Sequence, residues 1–519
     1  MMSSRCRDLS RLRSASRLTT LPTLSRCLVR SNAWSAPPTS CPKAQRVPVS
    51  RAASSSEPVS ATGDTGARGA VSAENESKGQ RKGAGDIKSK GTQSLQVTKI
   101  DTTPPRGTRD FFPDDKRLQT WLFNEFTSVS RSFGFEQIDF PVLESEELFV
   151  RKAGEEITEQ LYNFEDKGGR RVSLRPELTP SLARLAIQKG KGLPLPAKWF
   201  AIGQCWRYER ATRGRRREHY QWNMDIIGVP DVSAEAEVLA AICQFFQGVG
   251  LTSRDVGIKV SSRKVLQEIL ESVGVEASKF SSVCIMVDKM DKMPREKVVE
   301  GLVELGVGAE TAEKILAALA VKEVGELEAL LGKENEAVQD LKRLFGLAEA
   351  YGYGEYLVFD ASVVRGLAYY TGVVFEGFDR EGNLRAICGG GRYDKLLGTF
   401  GGDDQPCVGF GFGDAVIVEL LSDKGLLPEI GHAVDDMVVA LDAELHDAAC
   451  GVAASLRKQG RSVDLVLEGG KKMKWVFKQA ERCGAGRIVL VGKDEWERGM
   501  VRVKDQESRE EADVKVEDL

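Results

Sequence analysis

Six arginines fall within eleven residues, at positions 207, 210, 213, 215, 216 and 217, against a single acid, Glu209. A guanidinium grips phosphate oxygens two at a time and keeps its charge at any physiological pH, so this density suits polyphosphate or nucleic acid. A solvated basic loop is the plain alternative. The flanks weigh against it: WFAIGQCWRY and HYQWNMDII are strand-like, rich in aromatic and β-branched residues. The joining ERATRGRRRE is too charged to be buried, and the whole reads as a long hairpin with a mobile cationic tip. Alternation along a strand puts Cys205 and Arg207 on one face of the first arm and Gln221, Asn223 and Asp225 on one face of the second. Trp206, Tyr208, Tyr220, Trp222, Met224 and Ile226 take the opposite faces. If the register pairs odd with odd, a guanidinium, an amide and a carboxylate converge on one surface.

Other chemistry-bearing residues lie on either side. Glu177 stands between a strand end and a helix start, a kind of junction that commonly lines sites. Arg365 sits in a mostly apolar stretch, where burial would require a carboxylate partner or an anionic ligand. Tyr369 and Tyr370 follow it; tyrosines on a strand are more often core than ligand contacts. Two glycine patterns, Gly389-Gly390-Gly391 and Gly409-Phe-Gly411-Phe-Gly413, tempt a nucleotide-fold reading. Neither is a P-loop, because no GK[ST] follows, and the second lacks the spacing and downstream acid of a dinucleotide site. Taken alone they mark close backbone packing or a strand bend. Three histidines (His219, His432 and His446) and ten cysteines without a CxxC pair exclude a histidine-ligated metal hydrolase, a zinc ribbon and a disulfide framework.

Several elements must position these groups. Asp114 or Asp115 can cap a helix carrying Leu118, Leu122, Phe126, Val129 and Phe133 at helical spacing. Gly134 ends it before a strand, FEQIDFPVLE. A hairpin turning at Asp166–Gly169 follows, and then a helix with Thr179 as N-cap and Pro180 as first residue. Residues from about 262 to 351 are helical in pattern and read as an inserted module. DMVVALD, SVDLVLE and RIVLVG alternate with helices toward the end, which predicts a small α/β domain.

With 519 residues, 73 Lys+Arg, 76 Asp+Glu and a net charge of −3, the chain has room for several cores and is not a uniformly basic nucleic-acid coat. No stretch approaches 18 uninterrupted apolar residues, so no membrane partner is expected. Residues 1–50 hold eight Arg, one Lys and only Asp8 as an acid, and lack an apolar h-region, the composition of an organellar transit peptide. A disordered basic tail is the alternative. Residues 51–100, rich in Ser, Gly, Ala, Glu and Lys, read as a disordered linker.

The order of RGTRDFFPDD, GFEQIDFPVLE, SLRPELTP, WRYERATRGRRREHYQWNMDIIG, VDKMDK, VRGLAYYTGVVFEG and CGGGRYDKLLGTFGG, then VGFGFG, resembles the histidyl-tRNA synthetases. RGLAYYTG is the most specific element, and the basic leader is similar to that of the plant and algal organellar type. The resemblance implies an α+β fold: a class II catalytic core over 101–425, an antiparallel sheet flanked by helices, interrupted by a helical insertion at 255–355. An α/β anticodon-binding domain is implied at 433–519. It further implies a homodimer with Pro141 near the interface, location in the chloroplast and/or mitochondrion, ATP and Mg2+, L-histidine, and tRNA(His) as partner. Glu177 and Thr179 would hold the substrate amino group, and Gln221 would sit by its backbone. Asp225 and Tyr370 would read the imidazole, with Tyr369 beside them. Arg207 and Arg365 would flank the α-phosphate as the catalytic cations. Glu209 would lie near the adenine, and Arg215 and Arg217 near the terminal phosphates.

Three departures accompany the resemblance. Where the third class II motif ends in an arginine that packs on ATP, this chain has Val416. Where an aromatic ring usually stacks on adenine, it has His219, which can stack but also titrate. The arginine loop reads RRRE where a tyrosine often interrupts. Two rivals therefore stand beside the ligase reading: a non-catalytic synthetase-like paralogue that is regulatory or tRNA-binding, and a synthetase for another amino acid.

Overall fold

The computed structural model describes residues 100–151, 158–287, 290, 293–363 and 369–519. The expected leader and nearly all of the expected linker lie outside these residues, as does Arg365.

Helix α1 (Pro113–Ser132) opens the folded part, followed by the strands β1 (Glu136–Gln137), β2 (Leu143–Ser145), β3 (Tyr162–Glu165) and β4 (Arg171–Leu174). Helix α2 (Thr179–Lys189), the long arms β5 (Ala197–Trp206) and β6 (Glu218–Ile227), helix α3 (Ser233–Gly248) and β7 (Val256–Ser262) come next. Six helices of eight residues or more, α4 to α9, occupy Arg263 to Tyr351 among the described residues. Then come β8 (Leu357–Phe359), β9 (Val373–Asp379), β10 (Cys388–Arg392), β11 (Cys407–Gly413) and α10 (Asp414–Asp423).

Eight strands form the central sheet in the order β1-β5-β6-β11-β10-β9-β7-β8. Its middle is antiparallel, as expected, but β1 pairs β5 and β7 pairs β8 in parallel, so the sheet is mixed at both edges. The reason is connectivity: β8 returns to the sheet after a helical crossover, which parallel neighbours require. The expected insertion also begins too early at 255, because residues 256–262 are β7 of this sheet. One face is closed by α1 and α3. Phe126 stacks on Trp222 with ring centroids 4.6 Å apart, and Phe245 and Phe412 pack around them. Trp222 and Phe412 are even-numbered side chains of β6 and β11, so the odd-numbered ones are left to the opposite face.

Local chemistry corrects three sequence expectations. Phe112, not Asp114 or Asp115, precedes α1 as its N-cap residue; Pro113 starts the helix and the two aspartates lie in its first turn, where they favour the positive helix end. Thr179 is the first residue of α2 behind Leu178, and so does not cap it. The FEQIDFPVLE strand splits: β1 is two residues long, and β2 joins a separate three-stranded sheet, β2-β4-β3. At the break the Asp139 carboxylate accepts the Phe140 N–H at 2.8 Å, and Pro141 has no N–H for a ladder. Buried Arg175 consolidates the split, donating to the carbonyls of Phe140 (2.7 Å) and Gln204 (2.8 Å).

The C-terminal part is a five-stranded sheet. Strands β12 (Val434–Ala440), β13 (Val463–Leu465), β14 (Ala485–Val491), β15 (Met500–Asp505) and β16 (Glu511–Lys515) run in the order β13-β12-β14-β15-β16. Helices α11 (His446–Lys458) and α12 (Met473–Cys483) connect the parallel trio, which is the predicted α/β alternation. The terminal antiparallel hairpin β15–β16 is an addition to it. No helix among the described residues is long and apolar enough to cross a membrane.

Candidate active site

The register of the long hairpin pairs Gly203 with Gln221 and Cys205 with His219, odd with odd, so the conditional convergence read from the sequence holds. Asp225, Asn223 and Gln221 on β6 face Gly409, Gly411 and Gly413 on β11, and β11 in turn pairs Gly409 with Gly391 and Gly411 with Gly389 on β10. Polar side chains from one strand thus stand beside two strands with no side chains on that face, and the gap is a cavity of about 760 Å3. The glycines divide by role. A Cβ at Gly409 would overlap the Asp225 carboxylate, and one at Gly391 would lie 2.6 Å from the Val373 carbonyl oxygen, so both are needed for close packing. At Gly411 the nearest atom to such a Cβ is Asn223 Oδ1 at 3.5 Å, so there glycine leaves room for a ligand instead.

At the inner end Asp225 is fully buried, and the Tyr393 hydroxyl donates to its Oδ1 at 2.5 Å. Asp225 Oδ2 and Asn223 Oδ1 are buried without a hydrogen-bond partner among the described residues. Such atoms cost free energy unless something fills the space beside them. Burial pushes the Asp225 carboxyl up to about 7, although the Tyr393 bond pulls it the other way. Asn223 Nδ2 donates to Thr179 Oγ1 at 3.3 Å, and the Tyr369 hydroxyl donates to Glu177 Oε2 at 3.0 Å. Tyr370 lies against Tyr369 with centroids 4.9 Å apart. The Cys205 thiol, pushed up to about 12 by burial, points at Gln221 Oε1 and is no nucleophile.

The outer end belongs to the arginine loop. Arg207 is held by its Nε donating to the Pro176 carbonyl at 3.0 Å. Arg215 pairs with Glu209, and both line the cavity. The tip folds back on α10: Arg213 pairs with Glu419 at 3.1 Å and Asp423 at 2.6 Å, and Gly214 packs on Val416. Arg217 is turned away from the cavity, its guanidinium 4.0 Å from the Tyr208 ring centroid and its Nε donating to the Glu209 carbonyl at 3.0 Å. To reach the terminal phosphates, its expected place, it would have to leave an aromatic face and a carbonyl. His219 lines the cavity, and desolvation followed by the charges of Arg207, Arg385 and Arg109 pushes it down to about 3. It is therefore a neutral ring across the physiological range, and the expectation that it titrates there is corrected.

Glu177, Thr179, Arg207, Glu209, Arg215, His219, Gln221, Tyr369 and Tyr370 all line one cavity, with Asp225 beneath its floor. Sequence reasoning missed Tyr393 as the partner of Asp225, and Lys259, Glu376 and Arg385 as wall residues. The GGGRYD run was the signal for Tyr393: the tyrosine follows the glycines that open the floor.

A family profile described as histidyl-tRNA synthetase matches residues 107–414, and one described as an anticodon binding domain matches 435–519. The chain belongs to the histidyl-tRNA synthetase family. It is 63% identical over 421 residues to the chloroplastic/mitochondrial histidine–tRNA ligase of Arabidopsis thaliana, covering 81% of this chain and 86% of that one. It is 36% identical to the histidine–tRNA ligase of Pyrococcus furiosus, covering 80% of this chain and 96% of that one. Among solved structures, the histidyl-tRNA synthetase of Nostoc sp. PCC 7120 superposes with a TM-score of 0.66 at 25% identity, over 81% of this chain and 98% of that chain. A histidyl-tRNA synthetase is an ATP-dependent ligase, so the cavity has both a nucleotide and an amino acid to hold. Its cationic outer end and its polar, buried inner end are the two kinds of surface those ligands need.

Proposed function

We propose that the chain activates L-histidine with ATP in this cavity and transfers it to the 3′ end of tRNA(His), in the chloroplast and/or mitochondrion. The observation that carries the reading is the buried, partnerless Oδ2 of Asp225, braced by Tyr393 beside the cavity. A ring N–H is the donor such an oxygen lacks. A site that leaves a buried polar group unpaired rejects the wrong amino acid strongly.

Activation needs no nucleophilic side chain. The histidine carboxylate attacks the α-phosphorus, pyrophosphate leaves, and the protein contributes alignment and charge. Arg207 neutralises the α-phosphate from one side, and Arg365, outside the described residues, takes the other. Arg215 meets the terminal phosphates. Glu177 and Thr179 hold the amino group, Gln221 the backbone, and Asp225 with the tyrosine pair the imidazole. Glu209 and the neutral His219 flank the adenine. Glu376 on the cavity wall would be the residue to hold Mg2+ brought with ATP, an ion that needs only one or two protein carboxylates and would offset phosphate charge. In the second step the terminal ribose hydroxyl of tRNA attacks the adenylate carbonyl and AMP leaves.

The catalytic core spans 101–425, its helical insertion 263–351 and the anticodon-binding domain 433–519. On α12 the half-exposed rings of Trp475 and Phe477, with Lys471 and Lys504 over them at 5.5 and 4.8 Å, suit base stacking beside phosphates. Leu143 and Phe164, exposed on the small sheet, favour a homodimer that covers them. Residues 1–50 serve as transit peptide and 51–100 as linker.

Histidine-dependent ATP–pyrophosphate exchange on residues 100–519, with the other nineteen amino acids as controls, tests the reading. Exchange with histidine alone is expected. No exchange from a folded protein that still binds tRNA would favour the non-catalytic paralogue, for which Val416 is the supporting observation.

A further inference from the structure

The cavity wall where α10 begins offers only Ala415 and Val416, neither of which can carry charge. Across the loop tip, Arg213 is committed to Glu419 and Asp423 and Arg215 to Glu209. A guanidinium nevertheless reaches this wall from elsewhere. Ile387 is tied to both neighbouring strands, its N–H donating to Gly377 O at 2.8 Å and its carbonyl accepting from Gly413 N at 3.4 Å. The chain just before it, Arg385 and Ala386, therefore runs toward the start of α10, and Arg385 and Val416 line the same cavity. Arg385 is solvent-exposed there and lies close enough to His219 for its charge to act on that ring together with that of Arg207. Among the described lining residues Arg213 is paired with Glu419 and Asp423 and Lys259 with Asp360, which leaves Arg207, Arg215, Arg216 and Arg385 facing the carboxylates of Glu177, Glu209 and Glu376.

We propose that Arg385, from the hairpin between β9 and β10, binds the polyphosphate of ATP and supplies the positive charge that Val416 does not. The inference rests on the ligase reading above for the identity of the anion. Position and chemistry both favour phosphate: the guanidinium is at the cationic outer end, remote in the fold from Asp225, and its planar fork matches phosphate oxygens.

Calorimetry with adenosine, AMP and a non-hydrolysable ATP analogue with Mg2+, on wild type, Arg385→Ala and Arg385→Lys, tests it, alongside KM values in exchange. The loss should grow with phosphate number. Arg385→Ala should bind the ATP analogue about ten- to a hundred-fold more weakly, the range of a charge-assisted contact, while adenosine binding changes less than about two-fold. Arg385→Lys should lie between, and KM for ATP should rise while KM for histidine holds. Equal losses for adenosine and the ATP analogue would assign Arg385 a packing role and overturn the proposal, as would unchanged ATP affinity. Because the binding arms need no amino acid, a wild type that binds ATP but performs no histidine exchange would defeat the ligase reading while leaving Arg385 decided by its own result.

Discussion

Replacing Tyr393 by Phe removes one hydroxyl and almost no volume, and the hydroxyl removed is the 2.5 Å donor to Asp225. A hydrogen bond to a charged acceptor contributes about 1.5–3 kcal/mol, and 1.36 kcal/mol corresponds to one pH unit in a midpoint. The Tyr393 bond favours the ionised carboxylate, so its loss should move the Asp225 midpoint from about 7 to roughly 8–9. The ionised form is the one that accepts an imidazole N–H. In wild type, therefore, KM for histidine should fall as pH rises through 7, whereas in Tyr393→Phe the same fall should be displaced upward by one to two pH units. At pH 7, where half of the wild-type carboxyl is already protonated, the variant's KM should be about five- to fifty-fold above wild type, and the gap should close by about pH 9.5. KM for ATP, bound at the other end of the cavity, should hold. Exchange assays at saturating ATP from pH 6 to 9.5 measure all of this. A histidine KM that is unchanged, or raised by the same factor at every pH, refutes the argument, because neither pattern can come from a displaced carboxylate midpoint.

Three further outcomes follow from the same geometry. Asp225 titrates at about 7 when folded against 3.8 as an ordinary carboxyl, so the folded protein holds the proton longer and ionisation destabilises it from about pH 4 to 7. Asp225→Asn should match wild-type stability near pH 4 and exceed it above pH 7, by at most about 4 kcal/mol in denaturant unfolding; a constant difference would contradict the shift. Glu235 and Arg392 form a buried pair with two 2.6 Å bonds, so Glu235→Ala leaves the guanidinium with Asp394 at 3.3 Å and the carbonyls of Val229 and Asp231 and should lose at most about 3–5 kcal/mol; a melting temperature within a degree of wild type would count against that. Finally, Gly411→Ala should fold normally but bind substrates more weakly, whereas Gly409→Ala displaces Asp225 and should lower both stability and histidine affinity. Identical behaviour of the two variants would dissolve the division of roles between these glycines.

Much of the site was legible because it depends on strand alternation. The faces of β5 and β6 needed only the period of two, whereas their odd-with-odd register was a condition that the pairing itself supplies, and the arginine density stood out against a single acid. The resemblance supplied the rest of the assigned residues. What stayed hidden depends on contacts between distant segments. Tyr393 meets Asp225 across 168 positions, and the glycine run before it places it at the floor without revealing that partner. His219 loses its titration first through burial and then through the charges of Arg207, Arg385 and Arg109, which come from three separate segments. Asp139, Pro141 and Arg175 together split a strand whose sequence reads as continuous. Thr179 misled as a cap because its hydroxyl serves Asn223 instead of the helix.

The backbone of Gly107 accepts the N–H groups of Arg217 (3.0 Å) and Glu218 (3.3 Å), and Arg109 pairs with Asp414 at the start of α10. Asp414 also accepts the Tyr220 N–H at 2.9 Å, and α10 anchors Arg213 at the loop tip. Residues 107–109 are thus a buckle closing the root of the arginine loop onto the helix that holds its tip. Truncation anywhere before Arg106 therefore spares the buckle, and truncation a few residues later releases it. The position of the N-terminus and the grip on the nucleotide are coupled through that short stretch, so a chain shortened past Arg109 should fold around its aromatic core yet fail to hold its nucleotide.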